Sequence, residues 1–164
     1  MPEDVVVWTM KGARTALREE RMLAEGVIGA GWEKLPSLSG VTSKEALSAR
    51  VATGYPDMAP ATHDHYVAQL WTLVDTMKEG DLLVLQVKTT ATIAVGRISG
   101  PYQYRTDLGK DLQHLRPVQW IATGVPRRTF DRDLLHALDD FLTFDSVGRA
   151  DTAARVLAVV ADLD

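Results

Sequence analysis

The sequence predicts an α+β fold in which a curved, mostly antiparallel sheet closes as a small barrel, with helices between the early strands. Two observations predict this class. Short apolar and β-branched runs cluster between residues 82 and 122, and they are too numerous for a helical bundle. These runs also do not alternate regularly with long helices, as the strands of a parallel sheet would.

The first half of the chain mixes short apolar runs with helical patterns. Strands are expected at 5–8 and 27–30, and helices at 16–25, about 42–53 and about 62–78. Thr42 and Glu45 have the spacing of a capping box, in which a hydroxyl and a carboxylate satisfy N–H groups at a helix start. Apolar side chains recur every three or four residues in the last of these helices, which indicates an amphipathic helix.

The second half carries most of the expected sheet. Strands are expected at 82–87, 93–98, 102–104, 117–122 and 142–146, and helices at 131–140 and 150–163. The first two of these strands form a hairpin across a polar turn, and Gly100-Pro101 ends the second of them. The expected organisation is one domain over residues 1–147, followed by a helical tail over residues 148–164.

Composition excludes several classes of protein. A length of 164 residues suits one domain, and a hydrophobic content of 46% is enough for a real core. The chain has no cysteine, which removes disulfides, thiolate metal sites and cysteine nucleophiles. Its apolar runs are shorter than the roughly 18 residues of a membrane span, and acidic residues precede the first of them, unlike a signal peptide. We therefore expect a soluble cytoplasmic protein without a membrane partner.

The charge is unevenly distributed along the chain. The formal net charge is −4, but residues 97–128 hold 6 basic and 2 acidic side chains between acidic flanks. A local basic patch can bind phosphates even when the whole chain is acidic, although charge runs are often only solvated surface. The candidate phosphate-binding residues in this basic window are Arg97, Tyr104, Arg105, Lys110, His114, Arg116, Arg127 and Arg128.

No pattern predicts a metal or catalytic site. His63 and His65 fall on an expected helix, where positions two apart do not share a face. Asp81 and Gln86 could be taken for nuclease metal ligands, but on one extended strand they would lie about 17 Å apart. The chain also lacks the Gly-x-Ser-x-Gly nucleophile elbow. We expect no cofactor, no metal and no catalytic residue.

The tryptophans carry the strongest functional signal. Trp71 and Trp120 fall on an expected helix and an expected strand, where core packing is the ordinary role. Trp32 differs because it follows Gly31 at the end of a strand, where side chains often face a cleft. Binding an unstacked base requires an aromatic side chain on which the base can stack, beside a basic region. Trp32 is therefore the best candidate for stacking on a base.

Six segments, taken in order, resemble the N-terminal domain of Mrr-type restriction endonucleases, which is grouped with the PUA-like EVE, YTH and ASCH domains. The segments are VVVW (5–8), GVIGAGW (26–32), QLW (69–71), MKEGDLLV (77–84), IAVGRISGPY (93–102) and HLRPVQW (114–120). The likeness covers roughly residues 4–146 and implies a PUA-like barrel with a pocket. It does not extend to the nuclease domain that follows in those enzymes, so we expect a reader domain without nuclease activity.

The resemblance implies that a modified base, modified cytosine above all, is flipped from DNA into an aromatic pocket as part of a modification-dependent restriction system. Carried over by position, the pocket residues are Trp8, Gly31, Trp32, Trp71, Lys88, Thr89 and Thr90. The partners would be DNA with a modified base and a nuclease domain or subunit. Two alternatives stay open: an RNA-binding PUA-like domain, and a small nucleotide- or nucleobase-processing enzyme that uses a carboxylate such as Asp81.

Overall fold

A computed structural model of the chain describes residues 5–11, 16–138, 145–146 and 152–163. The strands are β1 (Val7–Lys11), β2 (Val27–Ala30), β3 (Leu82–Val87), β4 (Thr92–Ile98), β5 (Gln103–Tyr104), β6 (His114–Pro126) and β7 (Asp145–Ser146). The helices are α1 (Ala16–Glu25), α2 (Lys44–Gly54), α3 (Pro60–Trp71), α4 (Arg132–Leu138) and α5 (Thr152–Ala161).

The strands form one curled, mixed sheet with the order β2-β6-β4-β3-β1-β7, and β5 pairs with β6 beside this path. β1 and β3 are parallel, and the other pairs are antiparallel. β6 pairs with β2 and β5 through its first residues and with β4 through the rest, so the sheet bends around this 13-residue strand. The result is a half-barrel with helices between the early strands, which confirms the α+β class and the curved sheet.

The two faces of the sheet bury separate apolar clusters. Leu83 and Leu85 of β3 face the inside of the half-barrel, where they share a cluster with Met22 of α1. Leu82 and Val84 face the opposite side, in a cluster that includes residues of α4 and α5. The C-terminal helix therefore packs against the sheet. The expected boundary between residues 147 and 148 falls outside the described residues.

A third cluster joins α2 and α3 to the loop after β2. Its buried members are Leu35, Leu38, Leu47, Val51 and Leu70. Because the loop supplies Leu35 and Leu38, this packing holds the two helices beside the end of β2. A concave surface forms there.

Several element boundaries differ from the sequence-based expectation, among them that of β1, which spans Val7–Lys11 rather than 5–8. α2 is capped by Ser43, whose hydroxyl accepts a hydrogen bond from the Ala46 amide, so the cap lies one residue after Thr42 and the capping box does not form. α3 begins at Pro60, a favourable first position, and ends at Trp71, where a π-helical turn over Thr72–Thr76 replaces the expected continuation.

β6 is longer than the expected strand at 117–122, because it begins three residues before Pro117 and continues to Pro126. Pro117 pairs with Val27 of β2, and the next residue begins the pairing with β4, so this proline lies where the strand changes partner. The expected strand at 142–146 is described only at Asp145–Ser146, and its first three residues lie outside the described part. None of the helices described in this structure combines the length and apolar character that crossing a membrane requires.

Candidate functional site

A cleft of about 610 Å³ lies at the end of β2, between the residues that follow this strand, helix α3 and the segment before β6. Three aromatic side chains line it: Trp32, Tyr55 and Tyr66. Four charged side chains line it as well: Arg18, Glu33, Lys110 and Asp111. Together with His65 and Gln69 of α3, they make a cavity with flat aromatic surfaces and many polar groups.

The backbone at Gly31 and Trp32 shapes the entrance of the cleft. A Cβ atom on Gly31 would lie 2.9 Å from the Lys110 carbonyl oxygen and 3.2 Å from Cα of Asp111, so only glycine fits against this segment. Trp32 has a φ of 45°, in the left-handed region that non-glycine residues rarely adopt. Such strain persists only where the surroundings enforce it, and it often marks functional sites.

A buried hydrogen-bond network enforces the loop that carries Trp32. Nε2 of His114 lies 3.3 Å from the Trp32 carbonyl oxygen and 3.1 Å from that of Leu35. Both partners are acceptors, so Nε2 carries the proton and Nδ1 accepts from the Tyr102 hydroxyl at 2.6 Å. The Tyr102 oxygen in turn accepts from the Leu38 amide at 3.1 Å. The network ties residues 32–38 to β6.

This network requires a neutral histidine. Burial lowers the pKa of His114 below its ordinary value, and the hydrogen bonds to the two carbonyls oppose that shift. Burial also raises the pKa of Tyr102 to about 12. Both groups are therefore neutral at physiological pH, which suits an interior network without a counter-charge.

The aromatic rings of the cleft meet edge to face. The ring centroids of Trp32 and Tyr66 are 5.9 Å apart with planes at 77°, and those of Tyr55 and Tyr66 are 5.6 Å apart with planes at 86°. Perpendicular rings cannot sandwich a flat ligand between them. A planar ligand in the cleft would instead stack on one ring and meet the edge of its neighbour.

The charged groups of the cleft come from distant parts of the chain. Arg18 of α1 donates to the Asp111 carbonyl oxygen at 3.5 Å, which joins α1 to the segment before β6. Lys110 and Glu33 are exposed at the surface of the cleft. The site therefore offers an exposed cation, Lys110, and an exposed carboxylate, Glu33, within one cavity.

The structure brings together two of the seven expected pocket residues, Gly31 and Trp32. Trp8 is 6% exposed in the core, where its Nε1 donates to Asp81 Oδ2 at 2.8 Å. Trp71 is half-buried against the cluster between α2 and α3. Neither tryptophan lines the cleft.

The expected residues of the β3–β4 turn also lie outside the cleft lining, although a contact links the turn to α1. Lys88, Thr89 and Thr90 are exposed. The buried carboxylate of Glu19 accepts hydrogen bonds from the backbone amides of Lys88 and Thr89 and from the Thr89 hydroxyl. Glu19 directly follows Arg18 in α1. The same part of this helix therefore contacts the β3–β4 turn through Glu19 and the cleft through Arg18.

The basic window does not form one surface. Lys110 precedes the 13-residue strand β6 and Arg128 follows it, so these exposed cations lie at opposite ends of the strand. Of the eight candidates, only Lys110 lines the cleft.

The other candidates, apart from the exposed Arg128, have structural partners. Arg116 is buried and donates to the carbonyl oxygens of Gly100, Leu73 and Met77 at 3.0, 3.1 and 2.8 Å. His114 belongs to the network described above. The remaining contacts are Arg97 to the Gly80 carbonyl, Arg105 to Asp107 and Glu25, Arg127 to Gln86, and the Tyr104 ring against His114.

Asp81, the carboxylate considered for catalysis, is also engaged in the core. Its side chain accepts hydrogen bonds from Trp8 Nε1 and from the backbone amides of Val6 and Lys78. Across the described segments, no three histidine or acidic side chains converge as a metal site would require. His63 contacts Ser48 instead, at 3.1 Å from Nε2 to the carbonyl oxygen.

Sequence reasoning missed most of the cleft. Tyr55, Tyr66 and Gln69 reach it through the packing of α2 and α3 against the loop after β2. Tyr66 belongs to the apolar repeat that predicts an amphipathic helix at about 62–78. The buried Gln69, three residues later on the same face, was the signal that this stripe is not purely apolar.

A family model matches most of the chain. The sequence profile of a family described as "Domain of unknown function (DUF8426)" matches residues 8–136 of the chain. No curated protein matches the sequence. The matched range contains all the residues that line the cleft.

Proposed function

The chain belongs to the DUF8426 family, whose function is unknown, and we propose that its cleft binds a modified base flipped out of DNA. The domain would act as a PUA-like reader, the specificity module of a modification-dependent restriction system, working with a nuclease domain or subunit. The observation that carries the proposal is the placement of Trp32, which lines one cavity with Tyr66, Lys110 and Arg18.

The aromatic groups suit a nucleobase. Every base has a flat π-face, and stacking on an aromatic side chain is typically worth about 1–3 kcal/mol. The perpendicular Trp32 and Tyr66 rings provide one face for stacking and one edge for contact. A base inside a duplex cannot reach such a cleft, so it must leave the stack, and contacts in the cleft must offset the cost of unstacking and unpairing.

The polar groups suit the edges of the base and the strand that carries it. The exposed Glu33 carboxylate can accept from the exocyclic amine of cytosine. Lys110 is an exposed cation that would neutralise a flanking phosphate. This combination favours cytosine over a base without an exocyclic amine.

The deciding experiment is a binding panel measured by fluorescence anisotropy. Labelled duplexes carry cytosine, methylcytosine, hydroxymethylcytosine or methyladenine at one position, and unlabelled RNA and DNA compete. We expect a modified-cytosine duplex to bind more tightly than the unmodified one. Unlabelled RNA should displace the bound duplex less effectively than unlabelled DNA does. Stronger competition by RNA would identify an RNA-binding domain, and equal binding of all duplexes would contradict the proposal.

Salt dependence tests the role of Lys110. Affinity should fall between about 50 and 200 mM salt, with a log–log slope of about −0.9 for each phosphate contacted. Lys110→Gln should weaken all duplexes equally and flatten the slope by about one contact. Arg105→Gln is the matched control, because Asp107 already lies 2.6 Å from that guanidinium and we expect no change.

A further inference from the structure

Gln69 is a buried polar side chain in the wall of the cleft. It lies on α3 with 4% of its surface exposed, and it lines the same cavity as Trp32 and Tyr66. Glutamine is found mostly at protein surfaces, because an amide loses hydrogen bonds when it leaves water. Ligand pockets combine aromatic and apolar walls with a few placed polar groups that fix the orientation of the ligand. Gln69 has the position of such a group.

The two neighbouring rings determine which part of a bound base faces α3. Their centroids are 5.9 Å apart, so Trp32 and Tyr66 are in contact and no base fits between them. A base stacked on Trp32 lies parallel to the indole, whereas the Tyr66 plane stands at 77° to it. Such a base therefore lies beside Tyr66 and turns an edge, not a face, toward α3.

The same edge of the base approaches Gln69. Gln69 follows Tyr66 by three residues on α3, and side chains three apart lie on the same face of a helix. Proteins that flip a base out of a duplex read it by hydrogen bonds to its Watson–Crick edge. Gln69 is thus placed to make hydrogen bonds of this kind.

An amide side chain matches the Watson–Crick edge of cytosine. Its oxygen accepts hydrogen bonds and its nitrogen donates them, side by side. Cytosine presents the complementary pair, an exocyclic amine that donates and a ring nitrogen, N3, that accepts. Adenine presents a pair of the same kind, whereas thymine presents the reverse pair, a carbonyl oxygen and an N–H. An amide held in one orientation therefore separates amino bases from keto bases.

Two features of the site set the orientation of the amide. Gln69 has an interaction within the protein, which restricts its side chain, and an amide has two N–H donors and two lone pairs in all. The exposed carboxylate of Glu33 lines the same cleft and can only accept hydrogen bonds. An exocyclic amine has two hydrogens, one for Gln69 Oε1 and one for Glu33. This arrangement directs Gln69 Nε2 to N3.

We propose that Gln69 is the specificity-determining residue that selects an amino base. Its Oε1 accepts from the exocyclic amine and its Nε2 donates to the ring nitrogen, while Trp32 provides the stacking surface. This inference rests on the proposed function, since it names the residue of the same site that reads the edge of the base.

The test compares 5-methylcytosine with thymine, which is 5-methyluracil and differs from it only at this edge. Each base is placed opposite an abasic position in the same duplex, so that neither has to leave a pairing partner. We expect the wild type to bind the methylcytosine duplex about tenfold or more tightly, the size of discrimination that one bidentate pair gives. Gln69→Leu should reduce this ratio to about twofold or less. It should leave the salt dependence of binding unchanged, because no phosphate contact is lost.

Matched variants separate reading of the base from a structural role. Gln119→Leu makes the same change at an exposed position of β6 outside the cleft lining, and it should alter neither affinity. Gln69→Met, which keeps the unbranched chain without the amide, repeats the test if the leucine variant does not fold. The melting temperature of each variant shows that it is folded.

The outcomes for this inference and for the proposed function are distinct. A folded Gln69 variant that keeps the wild-type ratio would overturn the inference, as would a wild type that binds thymine as tightly as methylcytosine. The proposed function would stand in both cases if modified cytosine still binds more tightly than unmodified cytosine. A wild type that shows no preference for any modified duplex would overturn both.

Discussion

The Tyr102 hydroxyl lies 2.6 Å from Nδ1 of His114, and these two side chains together join β6 to the loop that presents Trp32. The hydroxyl donates to the histidine and accepts from the Leu38 amide, so both of its hydrogen-bonding roles are used. His114, in turn, donates to the loop carbonyls through Nε2. The geometry at the entrance of the cleft therefore depends on two neutral side chains.

Tyr102→Phe should destabilise the domain by about 1–3 kcal/mol, because it leaves the Leu38 amide and His114 Nδ1 without their partner. Urea unfolding measures the loss. Tyr104→Phe is the control, since its ring also contacts His114, at 5.2 Å between centroids, and a surface change of this kind costs at most about 0.5 kcal/mol. Equal losses in the two variants would contradict the network.

Acid should destabilise the domain through His114. Burial places the folded-state pKa of this histidine below its ordinary value of 6.5. As the pH falls below that value, the unfolded chain takes up a proton that the folded one does not, so stability falls with decreasing pH. The slope contributed by one histidine reaches about 1.4 kcal/mol per pH unit.

Unfolding free energies measured between pH 7.5 and pH 5 check this, a range chosen to bracket the ordinary histidine pKa of about 6.5. His114→Gln should be less stable at neutral pH and should show a smaller acid dependence than the wild type. The difference between the two profiles isolates His114 from the other titrating groups. Parallel profiles would mean that His114 does not carry the effect.

The sheet was predictable from the sequence because its signals are local. The apolar run of β3, the turn after it and the return strand β4 are adjacent in the chain, and their pattern alone predicts a hairpin. Trp32 was found in the same way, since Gly31-Trp32 at a strand end is a local feature. Tyr55 and Tyr66 come to the cleft only through tertiary packing, which no local pattern describes.

The basic window illustrates the opposite case. Its cations lie close together along the chain, between residues 97 and 128, but they are not close together in space. Successive side chains of a strand point to opposite faces of the sheet. Arg116 therefore shares a face with His114 and Val118, and all three side chains are buried. The alternation around the apolar Val118 was the available signal that Arg116 points inward. Charge counting over a window ignores this alternation.

Arg116→Met should therefore reduce stability rather than act on DNA affinity alone. The change removes the donor to three backbone carbonyls, and we expect a loss of about 3 kcal/mol or more in urea unfolding. Arg128→Gln, at an exposed position, should change stability by less than about 0.5 kcal/mol. A fully stable Arg116→Met variant would contradict the structural role.

Gly31→Ala should close part of the cleft. The new Cβ would press on the backbone of Lys110 and Asp111, which must move, at a cost of about 1–3 kcal/mol. Gly124→Ala is the control: its φ of 66° makes alanine unfavourable, but nothing lies within 4 Å. Both variants should lose stability, and only Gly31→Ala should lose affinity for the modified duplex. Wild-type affinity of a folded Gly31→Ala variant would contradict a tight entrance.

The sharpest test of the site is Trp32. If the base stacks on this indole, Trp32→Ala should weaken binding of the modified duplex by roughly 5- to 150-fold, the equivalent of about 1–3 kcal/mol, and Trp32→Phe should recover part of the loss. Trp32 and Trp71 both pack against the cluster between α2 and α3, so both alanine variants should lower the melting temperature, but only Trp32→Ala should lower the affinity of the folded protein.

The backbone of Trp32 supplies a control that separates strain from stacking. At a φ of 45°, glycine carries no penalty, whereas alanine keeps a cost of about 1–2 kcal/mol. Trp32→Gly should therefore be more stable than Trp32→Ala and bind no better, since neither variant offers a ring. A Trp32→Ala variant that is stable and binds like the wild type would show that the base does not stack on Trp32. Tyr66, which lines the same cavity, would then be the next stacking candidate to replace.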